Sequence, residues 1–192
     1  AMNLTISGGE PLLHPGLKDI IRGAAGRMKL LIATNGTLID DTWAQFFAET
    51  AVGIQVSLDG PTAEIHDAVR GPGAFVQARE AVRRLGRAGL AGRLTLAVTL
   101  MEGNLEAVDE MVALARELGI SVLRFLPLRR SGRARTLWPD LEPRQAADRI
   151  GRFYDRVRDG AYEGTPELRI SCGLSGFVPQ PSAEDAGRKP WC

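Results

Sequence analysis

Gly8-Gly9-Glu10-Pro11 sets a carboxylate directly behind two glycines. Ahead of it Leu4 and Ile6 alternate with Thr5 and Ser7, so the tetrapeptide stands where a strand ends and a loop turns toward a helix. Two glycines let the backbone take positive φ and approach a ligand closely, and Glu10 can accept hydrogen bonds from an ammonium group. A simple tight turn would account for the same four residues, but comparable runs recur along the chain. Thr34-Asn35-Gly36 closes the apolar run Leu30, Leu31, Ile32, and Ser57-Leu58-Asp59-Gly60-Pro61 closes the stretch from Gly53 to Leu58. His66, Asp67, Arg70 and Gly71-Pro72-Gly73 follow in what reads as a longer loop. His14, in Leu-Leu-His-Pro, reads as a strand-to-helix junction, and His66 has no second His or Cys at metal-ligand spacing.

The elements that must carry these residues alternate. Leu17, Ile20, Ile21, Ala24 and Ala25 mark one face of a helix closed by Gly26, and Asp40 or Asp41 can cap another with Trp43, Phe46 and Phe47 turned inward. Phe75, Ala78, Val82 and Leu85 mark a third helix, and Leu94 to Leu100 alternates as a strand. Asn104 is placed as the N-cap of a helix carrying Leu105, Val108, Met111, Val112, Ala115 and Leu118. A fifth strand runs from Ser121 to Leu126, followed by Pro127, Leu128 and a loop with Arg129, Arg130, Arg133 and Arg135. A last helix is expected from Pro143 with Ala146, Ile150, Phe153, Tyr154 and Val157, then a short strand over Leu168 to Ile170, with Gly173 to Pro190 as loop. Strands alternating with single helices make βαβ units and a parallel sheet, doubly wound or curled into a barrel. In either form ligands sit at the carboxyl ends of the strands, where the small and polar residues are gathered here.

Composition limits the partners. The 192 residues are 44% apolar and carry 24 Lys and Arg against 23 Asp and Glu, a net charge of +1, so nothing global points to nucleic acid. Arg83, Arg84, Arg87 and Arg93 read as a solvated helix face. No run of eighteen apolar residues and no leader pattern is visible, so the expectation is a cytoplasmic protein without a membrane partner. No GxGxxG follows the first strand and no GxxxxGK[ST] occurs, which speaks against dinucleotide and P-loop nucleotide chemistry. Two cysteines, Cys172 and Cys192, do not make a disulfide scaffold. An aldolase-type Schiff base would need a lysine at a strand end, and Lys18, Lys29 and Lys189 are not so placed.

The ordered series Gly8-Gly9-Glu10-Pro11, Thr34-Asn35-Gly36, Ser57-Leu58-Asp59-Gly60-Pro61, His66-Asp67, Arg70-Gly71 and Gly73-Ala74-Phe75 resembles the radical S-adenosylmethionine (SAM) enzymes over about residues 3 to 130. Within them it is most similar to the branch holding molybdenum-cofactor, quinone-cofactor and haem biosynthesis enzymes and the SPASM-type peptide maturases. The resemblance implies an α/β fold, a partial parallel (β/α)6 TIM-like barrel, here truncated before its first strand. It implies a core over residues 3–160 and a loop-rich linker over 161–192. It also implies cofactor contacts: Gly8, Gly9, Glu10 and Pro11, with the Gly-Gly-Glu part on the methionine amino group; Thr34 and Asn35 lining the cavity; Ser57 and Asp59 near the ribose and methionine carboxylate. Arg70 would pair with that carboxylate or order its own loop. Asn104 would supply a polar contact unless it serves as the N-cap, and backbone around Leu126, Pro127 and Leu128 would lie against adenine. Arg133 is a further candidate for substrate or cofactor.

The family's CxxxCxxC loop, which holds a [4Fe-4S] cluster, is absent from these residues. The expectation is therefore an inactive piece of an enzyme that reductively cleaves SAM to a 5′-deoxyadenosyl radical and abstracts hydrogen from a peptide or small-molecule cofactor precursor. Flavodoxin or ferredoxin would be the reducing partner, and Cys192 a possible ligand of an auxiliary cluster. The alternative is a noncatalytic domain that binds SAM or a nucleoside without a cluster. With its first strand missing, the piece would dimerise through an exposed edge strand.

Overall fold

Apolar residues at every second position commit six segments to strands, and each pairs with the next in sequence. The computed structural model describes residues 3–127, 151–153, 155–157, 159–164 and 166–170. The strands are β1 (Asn3–Ile6), β2 (Lys29–Thr34), β3 (Val52–Ser57), β4 (Leu94–Leu100), β5 (Val122–Pro127) and β6 (Glu167–Ile170). They form one sheet in the order β1-β2-β3-β4-β5-β6, and every pairing is parallel. Helices α1 (Leu17–Ala24), α2 (Asp41–Ala48), α3 (Ala63–Arg70), α4 (Ala74–Arg87) and α5 (Val108–Glu117) lie between the first five strands.

The helices cover one face of the sheet. Leu30 and Ile32, Ile54 and Val56, Leu96 and Val98, and Leu123 and Phe125 are buried there with Leu17 and Ile21 of α1, Phe47 of α2, Val82 and Leu85 of α4, and Met111 and Ala115 of α5. Each such side chain removed from water contributes about 1.5–3 kcal/mol before entropy is counted. Strand alternation sends Ala33, Gln55, Ser57, Thr95, Ala97, Thr99, Arg124 and Leu126 to the other face. At the amino ends of the strands the Arg93 guanidinium donates to the carbonyls of Ala48, Thr50 and Val52, tying the end of α2 to β3.

Three sequence expectations need correction. The stretch with His66, Asp67 and Arg70 is helix α3, started by Thr62, whose hydroxyl accepts the Ile65 N–H at 3.4 Å. Its apolar stripe is too thin to announce a helix: His66 is the buried residue of the segment, and Ile65 and Val69 are half-buried. Ile20, assigned to the inner face of α1, is 46% exposed. Asn104 does not cap α5; it lies inside a 3-10 segment, Glu102–Ala107, that precedes the helix. Leu128, the arginine-rich loop with Arg133, the helix start at Pro143, and both Cys172 and Cys192 lie outside the described residues. Residues 151–153 and 155–157 are helical, and Phe153 packs edge-on against Phe125 at 4.9 Å between centroids.

Candidate functional site

The carboxyl ends of β1 and β2 meet at Glu10. Its Oε1 accepts from the Leu12 N–H at 3.1 Å and the Thr34 hydroxyl at 2.7 Å, and its Oε2 accepts the Asn35 N–H at 2.8 Å. Glu10 caps the 3-10 turn Pro11–Leu13, where proline loses nothing at the first position because that N–H has no partner in a helix. Thr34 passes the restraint on by accepting the Gly36 N–H at 3.0 Å, and Asn35 Oδ1 accepts from both the N–H and the hydroxyl of Thr37 at 2.8 Å. Gly36 has φ +83°, and a Cβ there would come within 3.1 Å of Val56 and 3.3 Å of Ala81, so the turn needs glycine on both counts. Gly8 and Gly9 are different: both are exposed, and a Cβ on either would meet nothing within 4 Å. The protein's own packing does not ask for glycine at Gly9; the open space lies beside a half-buried carboxylate.

A second node joins the ends of β3 and β4 around Asp59, whose side chain is 1% exposed. Its Oδ2 lies 2.6 Å from Arg70 Nε and its Oδ1 accepts the Thr99 N–H at 2.8 Å. Its backbone N–H donates to His66 Nδ1 at 2.9 Å, and its carbonyl accepts from Asn104 Nδ2 at 2.7 Å. Asn104 also donates to the Thr99 carbonyl at 2.7 Å and accepts the Met101 N–H at 2.7 Å, so both ends of its amide are engaged inside the protein. Gly60 makes this possible by size alone: a Cβ there would stand 2.5 Å from Ile65 Cγ2 and 2.9 Å from the His66 nitrogen. Asp67 accepts the N–H groups of Gly73 and Phe75, both at 2.8 Å, and so holds the start of α4 against α3.

The residues singled out in sequence therefore fall into two groups. Glu10, Thr34 and Asn35 form one node, and Asp59, Arg70 and Asn104 form the other, with Thr99 and His66 as members that spacing had not marked for this role. Ser57 is half-buried at the end of β3, opposite Ala97 of β4. Leu126 is opposite Thr99, and Pro127 is opposite Leu100. Both β5 residues are strand backbone at the same end of the sheet.

The donor set fits an amino acid zwitterion. Glu10 offers negative charge beside open glycine backbone, and Arg70, its side chain 34% exposed and its Nε held by Asp59, offers positive charge. It does not fit a metal cluster. Among the described residues no group of three or more His, Cys, Asp or Glu is placed to hold a metal ion, and the 192 residues contain only two cysteines.

A family model described as the Radical SAM superfamily matches residues 3–115. The chain belongs to that superfamily. The radical SAM family takes its name from S-adenosylmethionine, which its members use with a [4Fe-4S] cluster, and the parallel sheet with its helices is consistent with a partial barrel, though with six strands where a (β/α)6 barrel short of its first strand would leave five. Mycofactocin maturase MftC of Mycobacterium tuberculosis is 38% identical over 154 residues, covering 79% of this chain and 38% of that protein. AdoMet-dependent heme synthase of Oleidesulfovibrio alaskensis is 34% identical over 137 residues, covering 70% of this chain and 35% of that protein. These relatives are enzymes, and the chain spans well under half of their length. In fold the chain is similar to Streptococcus suis SuiB, with a TM-score of 0.73 at 15% identity over 94% of this chain and 40% of that one. SuiB has also been crystallised with S-adenosylmethionine and with the precursor peptide SuiA. No described helix is long and apolar enough to cross a membrane.

Proposed function

We propose that this chain supplies the SAM-binding side of a radical SAM enzyme that acts on a peptide or a small cofactor precursor. The observation that carries the reading is the Glu10 carboxylate, oriented by the Leu12 and Asn35 N–H groups and the Thr34 hydroxyl, next to two exposed glycines. Glu10 binds the methionine ammonium, with the backbone of Gly8 and Gly9 closing on it and Pro11 fixing the turn behind. Thr34 and Asn35 orient that carboxylate. Arg70 takes the methionine carboxylate, with Ser57 beside it. Asp59 and Asn104 make their hydrogen bonds within the protein, so their part is to set Arg70 and the ends of β3 and β4. The β5 backbone at Leu126 and Pro127 borders the adenine.

What the bound cofactor supplies is hydrogen abstraction through a 5′-deoxyadenosyl radical, with the electron delivered by a flavodoxin or ferredoxin. The substrate class is supported by the maturase and haem synthase relatives and by the peptide-bound structure of SuiB. The cluster thiolates are not drawn from the described residues, so no role in holding it is assigned to them. We also propose that β1, an edge strand with exposed Asn3, Leu4 and Thr5, pairs with a further strand, from a second copy or from more of the same protein.

The test is anaerobic iron and sulfide analysis of the full-length protein that contains this chain, with SAM binding and 5′-deoxyadenosine formation measured on the same sample. A cluster, SAM binding and 5′-deoxyadenosine support the reading. A protein that takes up no cluster and binds no SAM overturns it.

A further inference from the structure

His66 is a buried titratable side chain that the functional reading leaves unused. It is 1% exposed, sits on α3, and faces the Phe75 ring of α4 at 6.1 Å between centroids. Because Nδ1 accepts the Asp59 N–H at 2.9 Å, that nitrogen carries a lone pair, and the neutral ring has its proton on Nε2. The charged groups around it are Asp59, Arg70 and Asp67. Burial holds its pKa below the ordinary 6.5; Arg70 pushes the same way, and the two carboxylates oppose it.

The direction of Arg70 is set through Asp59. The Asp59 backbone is held on one side by His66 and on the other by Asn104, and Thr99 takes one carboxylate oxygen. With Oδ1 held in this way, Oδ2 meets Arg70 Nε at 2.6 Å. Using Nε leaves both terminal guanidinium nitrogens for a ligand. An arginine with 34% of its side chain exposed at the C-terminal end of α3 would otherwise sample many rotamers.

We propose that His66 is a positioning residue for SAM: by holding the Asp59 backbone it fixes the Arg70 guanidinium where it meets the cofactor's carboxylate. The inference rests on the reading that this site binds SAM. His66 touches no ligand. Protonation at Nδ1 would remove the acceptor and turn two N–H groups toward each other, so the restraint exists only with the ring neutral.

The test is the dissociation constant for SAM, measured anaerobically on the cluster-loaded full-length protein for wild type, His66→Gln and His66→Leu across a pH series. At about pH 8, His66→Leu is expected to bind about tenfold more weakly, because the buried Asp59 N–H loses its acceptor, while His66→Gln stays within about threefold of wild type. Below pH 6.5 wild-type affinity is expected to fall, and His66→Gln is expected to lack that part of the fall. Folded His66→Leu with wild-type affinity overturns the inference, as does the same pH slope in wild type and His66→Gln. If His66→Leu does not fold, the His66→Gln profile alone decides. A cluster-loaded wild type that binds no SAM overturns the functional reading itself.

Discussion

Glu10 spends its carboxylate on three donors, yet an ionised carboxylate has about four acceptor positions, so it can still receive an ammonium. Glu10→Gln removes the charge and turns one donor toward another donor, either Asn35 N–H or Leu12 N–H. SAM affinity of the full-length protein is expected to drop by about tenfold to a hundredfold, read by equilibrium binding, because charge-assisted bonds contribute about 1.5–3 kcal/mol. Gly60 makes a different kind of prediction. Gly60→Ala forces a methyl into Ile65 and the His66 backbone and is expected to cost about 1–3 kcal/mol in chemical denaturation, with α3 displaced from Asp59. The glycine, threonine and asparagine motifs at strand ends were legible because few structural tasks want those residues in that order. The division of labour was not. Asp59 and Asn104 look like ligand groups in sequence, and only the fold reveals that partners as distant as Arg70 and Thr99 take up their polar atoms.

Between the strands the most informative element is α3. Its helical state depends on a threonine cap and on Ile65 seated against Gly60, which a search for apolar periodicity does not register. The other helices carry full stripes, as α4 does with Phe75, Ala78, Val82 and Leu85, and these were readable. Farther along, the segment after residue 151 is fastened to α5 by Asp109, which accepts from Arg156 Nη2 at 2.8 and 2.9 Å and from the Tyr162 hydroxyl. The Tyr162 bond, with Arg156 behind it, holds the Asp109 carboxyl below its usual range despite partial burial. Burial and the Asp109 partner push the Tyr162 phenol from 10.0 up to about 12. Because the folded state favours the protonated phenol, its contribution to stability is complete below pH 10 and declines as pH rises from 10 toward 12. Denaturation midpoints of wild type and Tyr162→Phe are expected to converge across that alkaline window; a constant gap would show that the phenol does not act this way.

At the scale of the molecule the sheet has two free margins among the described residues, β1 and β6, each paired on one side only. Leu4 on β1 is 38% exposed and its neighbours Asn3 and Thr5 are exposed too. The 192-residue chain studied alone is expected to associate with rising concentration, seen as a growing weight-average mass in sedimentation equilibrium. Thr5→Pro, which removes a backbone donor from the strand, is expected to weaken that association if β1 is the contact. A monodisperse monomer at high concentration would show that the margin is covered in some other way. The parallel βαβ arrangement was readable from element order. Element order alone left two architectures open, since closure depends on how strongly successive strands tilt, a property spread over the whole sheet; the motif series at the strand ends pointed to the partial barrel.

Among the described residues the order of the strands in space is also their order along the chain, and each bonds only to its immediate predecessor and successor. Such a sheet can be lengthened at either margin by one more strand and helix without breaking or rethreading any existing pairing. Accretion of that kind is compatible with proteins more than twice as long carrying a matching segment.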